Sequence, residues 1–285
     1  MSPVAIIPIT LAAAIVNGAL GYGFSSITVP LALLFLSNRV LNPALVPIEV
    51  ALNAYVLWVN RTAIPAVARR MRPVIVGLLP GVIAGTLVVA RVSPAWLKLA
   101  TYLVLLPLIL LQAAGIRRPV RSERSAGAAF GVGVGVLYSV TTISGPPLAV
   151  ALNNQGLTRQ EFRAALGLVR LAESTLTAIA YFAAGLFASE SMTLIPQILP
   201  SVIIGVPIGA FVIRHVQPET FRRVCISFDA WIVAFGIATL VRDLNVAGRV
   251  AAFSVFVIVI AIDAVLLHRY FSATAGRGAG RTRPG

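Results

Sequence analysis

Five ionisable side chains fall inside stretches that are otherwise almost wholly apolar: Glu49, Arg170, Glu173, Asp229 and Asp263. A charge at the centre of a bilayer costs at least about 2.5–3.5 kcal/mol on insertion scales, so each needs a partner or a task. Arg170 and Glu173 are three residues apart in "VRLAESTLT", which puts them on one helix face with Ser174 and Thr177. That stripe reads in two ways. Either Arg170 neutralises a bound anion while Glu173 takes and releases a proton, or the two charges neutralise each other. Glu49 lies at a comparable depth earlier in the chain, so Glu49 and Glu173 form a candidate pair of proton-coupling carboxylates. Asp229, in "CISFDAWIV", either pairs with Arg170 or binds a cation, and Asp263 reads as an interfacial partner of His268 and Arg269.

The same stretches are interrupted twice by Gly, Ser, Thr and Pro. "GYGFSSITVP" carries Ser25, Ser26 and Thr28, and "TTISGPPLAV" carries Thr141, Thr142, Ser144 and Gly145. A helix that restarts inside lipid bares its first backbone N–H groups, and hydroxyl side chains and an early proline suit such a start. Two such starts near mid-membrane would make a donor-rich pocket suited to an anion. The plainer reading is a pair of kinks that lets helices pack through glycine. Asn17 before the first break and Asn153 after the second either line the path or hold helices together.

The elements that must hold these groups follow from hydropathy. The chain is 58% hydrophobic and 11% charged, and apolar runs near membrane-spanning length recur along it. Strand-like alternation is scarce, so the expected class is an all-α polytopic membrane protein. The expected helices are 4–20, 26–37, 44–60, 73–91, 95–114, 126–142, 146–154, 163–187, 194–213, 219–241 and 249–268. The second and seventh are too short to cross as straight helices. The opening span lacks the basic start of a secretory signal and reads as a retained helix. Trp58, Trp96 and Trp231 read as interface anchors and packing.

Net charge is +14, but the arginines sit in short loops rather than on one basic domain, which argues against a nucleic-acid partner. Arginines cluster in loops 61–72 and 115–125, around Arg159 and Arg163, around Arg214, Arg222 and Arg223, and in the tail. The intervening loops are poor in them. The positive-inside rule then puts these clusters and the C-terminus in the cytoplasm and the N-terminus outside, and the near absence of lysine, with Lys98 alone, points to a GC-rich bacterial genome. The Gly/Arg-rich tail, 271–285, reads as disordered.

The two interrupted stretches belong to a longer echo. Pro30 matches Pro147, Pro80 matches Pro200, Gly85 matches Gly205 and Pro94 matches Pro218, in order along the chain. The expected plan is a first repeat of five helical elements over 1–114, a second, inverted, over 115–243, and an extra transmembrane helix within 244–270. Inverted repeats with matched helix breaks are the plan of secondary transporters, and the breaks point to the binding site.

Two stretches also resemble the TauE/SafE sulfite exporter family of bacterial membrane proteins: "NGALGYGFSSITVPLALLFL" and "SGPPLAVALNNQGLTRQEFRAAL". The resemblance covers most of residues 5–240. It implies transport of sulfite, a sulfonate or a related small anion, without selecting one or giving a direction.

Three function classes follow. A secondary anion transporter accounts for the breaks, the repeat and the buried charges together, with a proton as a candidate coupling ion. An anion channel accounts for the breaks alone, and a structural membrane subunit needs only packing. No catalytic constellation, metal cluster or phosphate-binding loop is present, so neither an enzyme nor a cofactor is expected. The lone Cys225 reads as packing.

Overall fold

A computed structural model describes residues 5–113, 124–152, 155–216 and 218–279. Eleven α-helices make up the described chain: α1 (Ile6–Leu20), α2 (Phe24–Ala32), α3 (Asn38–Val59), α4 (Ile64–Arg91), α5 (Pro94–Ala113), α6 (Arg124–Thr141), α7 (Gly145–Leu152), α8 (Arg159–Ala183), α9 (Ser189–Val212), α10 (Pro218–Asp243) and α11 (Arg249–Ala279). Six stretches are long and apolar enough to cross a bilayer: Asn38–Val59, Arg61–Arg91, Gln160–Ala183, Ser189–Val212, Arg223–Asp243 and Arg249–Ser272. Apolar side chains such as Val76, Ile179, Phe182, Ile203 and Val257 lie exposed on the outer faces. That is the surface a bilayer covers.

Each expected segment has a helix, but several ends move. Loop 61–72 is mostly helical: α4 begins at Ile64 with Pro65 in its first turn, so Arg69, Arg70 and Arg72 ride on a helix. Proline is tolerated at such a start, and Pro73, where the expected helix begins, lies inside α4. Helix α3 begins at Asn38 and runs through Pro43 and Pro47. This brings Arg39, expected in a loop, to the end of α4, where its guanidinium donates to the carbonyls of Val89, Ala90 and Val92 at 3.0, 2.8 and 3.0 Å. Those carbonyls are the orphans of a helix C-terminus, and a cation there also offsets the helix dipole. The tail reading is corrected in part. Helix α11 continues to Ala279, beyond the expected end at 268, since extending an existing helix costs far less than starting one. Residues 280–285 lie outside the described chain.

Helix α8 opens with a capping box. Thr158 N–H donates to Glu161 Oε2 at 2.8 Å, and Glu161 N–H donates to Thr158 Oγ1 at 3.2 Å.

The helices do not pack as two separate halves of the chain. Helix α1 lies against α9, and α4 against α6. Small residues permit both crossings. A Cβ added at Gly77, Gly81 or Gly131 would strike the carbonyls of Ala128, Val132 or Val74 across α4 and α6. One added at Gly18 or Gly209 would strike Val206 or Ile15 across α1 and α9. The apolar interior divides accordingly. One cluster joins α1, α2, α3, α5, α9 and α10, around Phe24, Leu45, Tyr102 and Ala230. A second joins α4, α6, α7 and α8, around Leu78, Leu148 and Val169. A small third group, Val46, Tyr138 and Tyr181, bridges α3, α6 and α8 along the seam between them.

The crossings yield a paired test. Gly131→Val should lower stability by about 3 kcal/mol or prevent folding, through overpacking against Val74. Gly133→Val, two residues on, meets open space and should leave the melting temperature in detergent nearly unchanged.

Candidate functional site

The first break is a sharp turn made by glycine. Helix α1 ends at Gly21, at φ 82°, with its N–H on Asn17 O at 2.7 Å. Gly23, at φ 109°, starts α2. Both angles lie in the left-handed region that favours glycine. No side chain caps α2, and its first backbone bond runs from Ile27 N–H to Gly23 O. The N–H groups of Phe24, Ser25 and Ser26 therefore stand ahead of the helical ladder.

The second break has a different build. Helix α6 ends at Thr141, and Thr142 takes the left-handed turn at φ 55°. Thr141 Oγ1 accepts from Ile143 N–H at 3.0 Å and donates to Leu137 O at 2.7 Å, so its hydroxyl serves the turn itself. Thr142 Oγ1 donates to Thr141 O at 2.7 Å. Helix α7 opens Gly145-Pro146-Pro147, and the prolines have no N–H to offer. The amides that stand ahead of a helical ladder are thus mainly those of α2.

The breaks lie side by side. A Cβ on Gly145 would stand 3.3 Å from the ring of Tyr22. Gly23, Ser26 and Pro146 line one narrow crevice together with Tyr22, Cys225 and Asp229. Its volume is about 20 Å³, room for one water.

Behind the breaks each serine meets a carboxylate. Ser25 donates to Glu49 Oε1 at 2.5 Å on α3, and Ser144 donates to Glu173 Oε1 on α8. Glu49 is further held by Arg170 Nη2 on its Oε1 at 2.9 Å and by Tyr138 OH on its Oε2 at 2.7 Å. All of these residues are buried. The direct ion pair of Arg170 is with Glu49 rather than with Glu173: the arginine of α8 reaches across to α3. Among the described residues, Glu173 Oε2 and Arg170 Nε have no hydrogen-bond partner, and neither has the buried Thr28 Oγ1. A helix pair three apart can meet only along one helix, whereas Glu49 approaches Arg170 from a facing one.

Asp229 does not pair with Arg170 either. It is 6% exposed, and its Oδ1 has no hydrogen-bond partner. Asp263 is not interfacial. It is wholly buried, pairs with Arg223 at 3.1 Å, and accepts from Ser227 at 3.2 Å and Trp231 Nε1 at 3.1 Å. His268 and Arg269 are exposed. Trp231 donates to a buried charge while its ring remains exposed, as Trp58 and Trp96 also are.

Several participants escaped the sequence reading. Tyr138, one turn before the second break, was one; its only signal was a polar atom in an apolar span. Asn38 and Asn42 of α3 donate to Val140 O at 3.4 and 2.7 Å, satisfying a carbonyl orphaned where α6 ends. Tyr102 OH does the same for Pro30 O at 2.8 Å near the end of α2.

Two wider cavities flank the breaks. One of about 400 Å³ reaches from Asn17 and Gly21 to Asn60, Arg163 and Arg214. The other, about 650 Å³, runs from Leu148 and Leu152 of α7 to Arg69, Arg70 and Arg72. Asn153 lies outside the described residues.

The family profile described as "Sulfite exporter TauE/SafE" matches residues 6–235. The chain belongs to this family. The match takes in both breaks, Glu49, Arg170, Glu173 and Asp229, and ends before α11. No curated protein and no solved structure matches the TauE/SafE chain. Family and fold together make it a multi-pass membrane transporter.

The Glu49–Arg170 pair gives a stability test. Arg170→Met leaves Glu49 buried with its charge uncompensated and should cost about 3–5 kcal/mol. That corresponds to a melting temperature about 10 °C lower in detergent. Adding Glu49→Gln should restore most of the loss, and a double variant as unstable as the single one would refute the pairing.

Proposed function

We propose that this TauE/SafE chain is a secondary transporter that carries a small sulfur oxyanion or organic sulfonate by alternating access. The observation that carries the reading is the meeting of both breaks at one crevice, backed by a serine–glutamate pair on each side. Unladdered amides of α2 and the hydroxyl of Ser26 suit an anion. Arg170 supplies positive charge behind them. Ser25, Thr28, Thr141, Thr142, Ser144 and Gly145 shape the turn and the helix starts around it. Asn17 lines the wider cavity that leads from the arginine-bearing side. Non-enzymatic action follows from the same reading.

The inverted-repeat plan is part of this proposal. Under it α1 corresponds to α6, α3 to α8 and α4 to α9. Two features support the correspondence. The pairings of α1 with α9 and of α4 with α6 exchange into each other. So do the Ser25–Glu49 and Ser144–Glu173 bonds. The boundaries at 114 and 243 then mark sequence repeats rather than moving bodies, because α1 and α4 each pack on the other half. The bodies that rock are the two apolar clusters, and the seam between them holds Glu49, Arg170, Tyr138 and Tyr181. Arginine distribution supports an inner-membrane location with N-terminus outside and C-terminus in the cytoplasm.

Coupling to protons is assigned to Glu173, whose Oε2 has no partner. Glu49, with three donors, acts as the fixed counter-charge of Arg170.

The test is flux in proteoliposomes, with labelled sulfite and methanesulfonate. A carrier should saturate and should accelerate when unlabelled anion is placed on the far side. Conductance at ion-channel rates, without counterflow, would point instead to a channel. Glu173→Gln should reduce stimulation by a pH gradient at least about fivefold, the size of an ordinary coupling free energy. Unchanged stimulation would remove Glu173 from the coupling role.

A further inference from the structure

Among the described residues, three carboxylates besides Glu173 are buried within the bundle, and two are fully engaged. Glu49 has Arg170, Ser25 and Tyr138; Asp263 has Arg223, Ser227 and Trp231. Asp229 has no hydrogen-bond partner on Oδ1, yet it lines the crevice where Gly23, Ser26 and Pro146 bring the two breaks together. It is placed there by helix geometry. Arg223, Ser227 and Trp231 turn one face of α10 towards Asp263 of α11, and Cys225, Ile226 and Asp229 turn another towards the breaks.

Among the described residues no fixed charge faces Asp229 from the elements around it. Helices α1, α2 and α7 contain no ionisable side chain. From the crevice wall come the phenol of Tyr22 and, one turn away on α10, the thiol of Cys225. On α5, Tyr102 OH is bonded to Pro30 O, and Lys98 lies near Asp243 at the far end of α10. On α11, Asp263 is held on the opposite face by Arg223, and His268 and Arg269 are exposed. An ionised carboxylate that has an oxygen without a donor, and no counter-charge among the described residues, is costly in such a place, whereas the neutral acid is tolerated. A metal cation would ask for several oxygen ligands. Apart from Asp229, the side-chain oxygens lining the crevice are those of Ser26 and Tyr22, beside the Cys225 thiol and the apolar Val16, Leu20, Ile27 and Ile226.

We propose that Asp229 is a proton-binding site inside the anion crevice, so that the anion crosses in company with a proton held on this residue. The proposal rests on the transport reading and adds a second proton site to it, separate from Glu173. When the crevice opens to water, Asp229 takes one proton from that side and becomes the neutral acid, whose O–H adds a donor for the anion. When the crevice opens on the other side, the anion departs and the carboxyl returns its proton there. Ionised Asp229 repels the anion, so the unaccompanied anion is rejected. No covalent step is involved.

The experiment uses the full chain in proteoliposomes with an internal pH dye and labelled methanesulfonate, which stays anionic across the working range whereas sulfite itself titrates. In Asp229→Asn the number of protons moved per anion should fall by one relative to wild type, and Glu173→Gln should leave the Asp229 contribution in place. A proton-to-anion ratio identical to wild type in Asp229→Asn overturns the proposal. Flux driven by a sodium gradient and lost in Asp229→Asn also overturns it, in favour of a cation site. A second measurement does not depend on flux. The infrared difference between wild type and Asp229→Asn at neutral pH should contain the carbonyl band of a protonated carboxylic acid, and Asp229→Ser should repeat it. Absence of that band overturns the assignment even if transport is normal. A wild type that moves none of the anions refutes the transport reading, whereas a wild type that transports with Asp229→Asn unaltered refutes this inference alone.

Discussion

Arg170 sits inside an apolar bundle and cannot be left without a negative partner. That requirement organises the centre of the molecule. Its partner, Glu49, comes from a helix in the other half of the chain, so satisfying the charge ties α8 to α3 across the seam between the two apolar clusters. Glu49 then becomes a hub. It takes up the hydroxyl of Ser25 at the first break and the phenol of Tyr138 just before the second. A single buried ion pair thereby sets the positions of both interruptions. Its net worth to stability is small, because desolvation offsets much of the attraction, but its loss would strand a charge. The pair is better understood as specifying register than as supplying stability.

Backbone chemistry imposes the same demand on the breaks. A helix interrupted in lipid leaves carbonyls behind and amides ahead. The carbonyls are answered from within: Asn38 and Asn42 bond Val140 O, and Tyr102 bonds Pro30 O. At the second break the leading amides are largely abolished by Pro146 and Pro147, and Thr141 serves the turn. At the start of α2, no side chain caps the amides. The asymmetry matters for function, since donors left over inside a protein are what a ligand can use. Glycine has two separate duties here. At Gly21 and Gly23 it makes the turn, and along α4, α6, α1 and α9 it lets backbones touch. At the breaks themselves Gly145 also lets Tyr22 approach closely.

Much of the architecture was legible in the sequence because membrane insertion is a local criterion. Hydropathy over about twenty residues identifies a span wherever it ends up in the bundle. Hence the helices were found, along with both short ones and both breaks. Their ends were less legible. Pro73 looked like a start but lies inside α4, and Arg39 looked like a loop residue but caps that helix from α3. Proline and arginine have different meanings depending on which neighbouring chain accepts their consequences.

The partners of the buried charges were not legible at all. From Arg170 and Glu173 three residues apart, the sequence determined only that both share a helix face in an apolar setting. Tertiary structure decided that Arg170 turns to Glu49, that Glu173 turns to Ser144, that Asp263 belongs to Arg223, and that Asp229 faces the crevice. The reason is physical. Whether a residue enters lipid depends on its own segment, whereas electrostatic partnership depends on distance through space, and only the packing of one helix on another sets that distance.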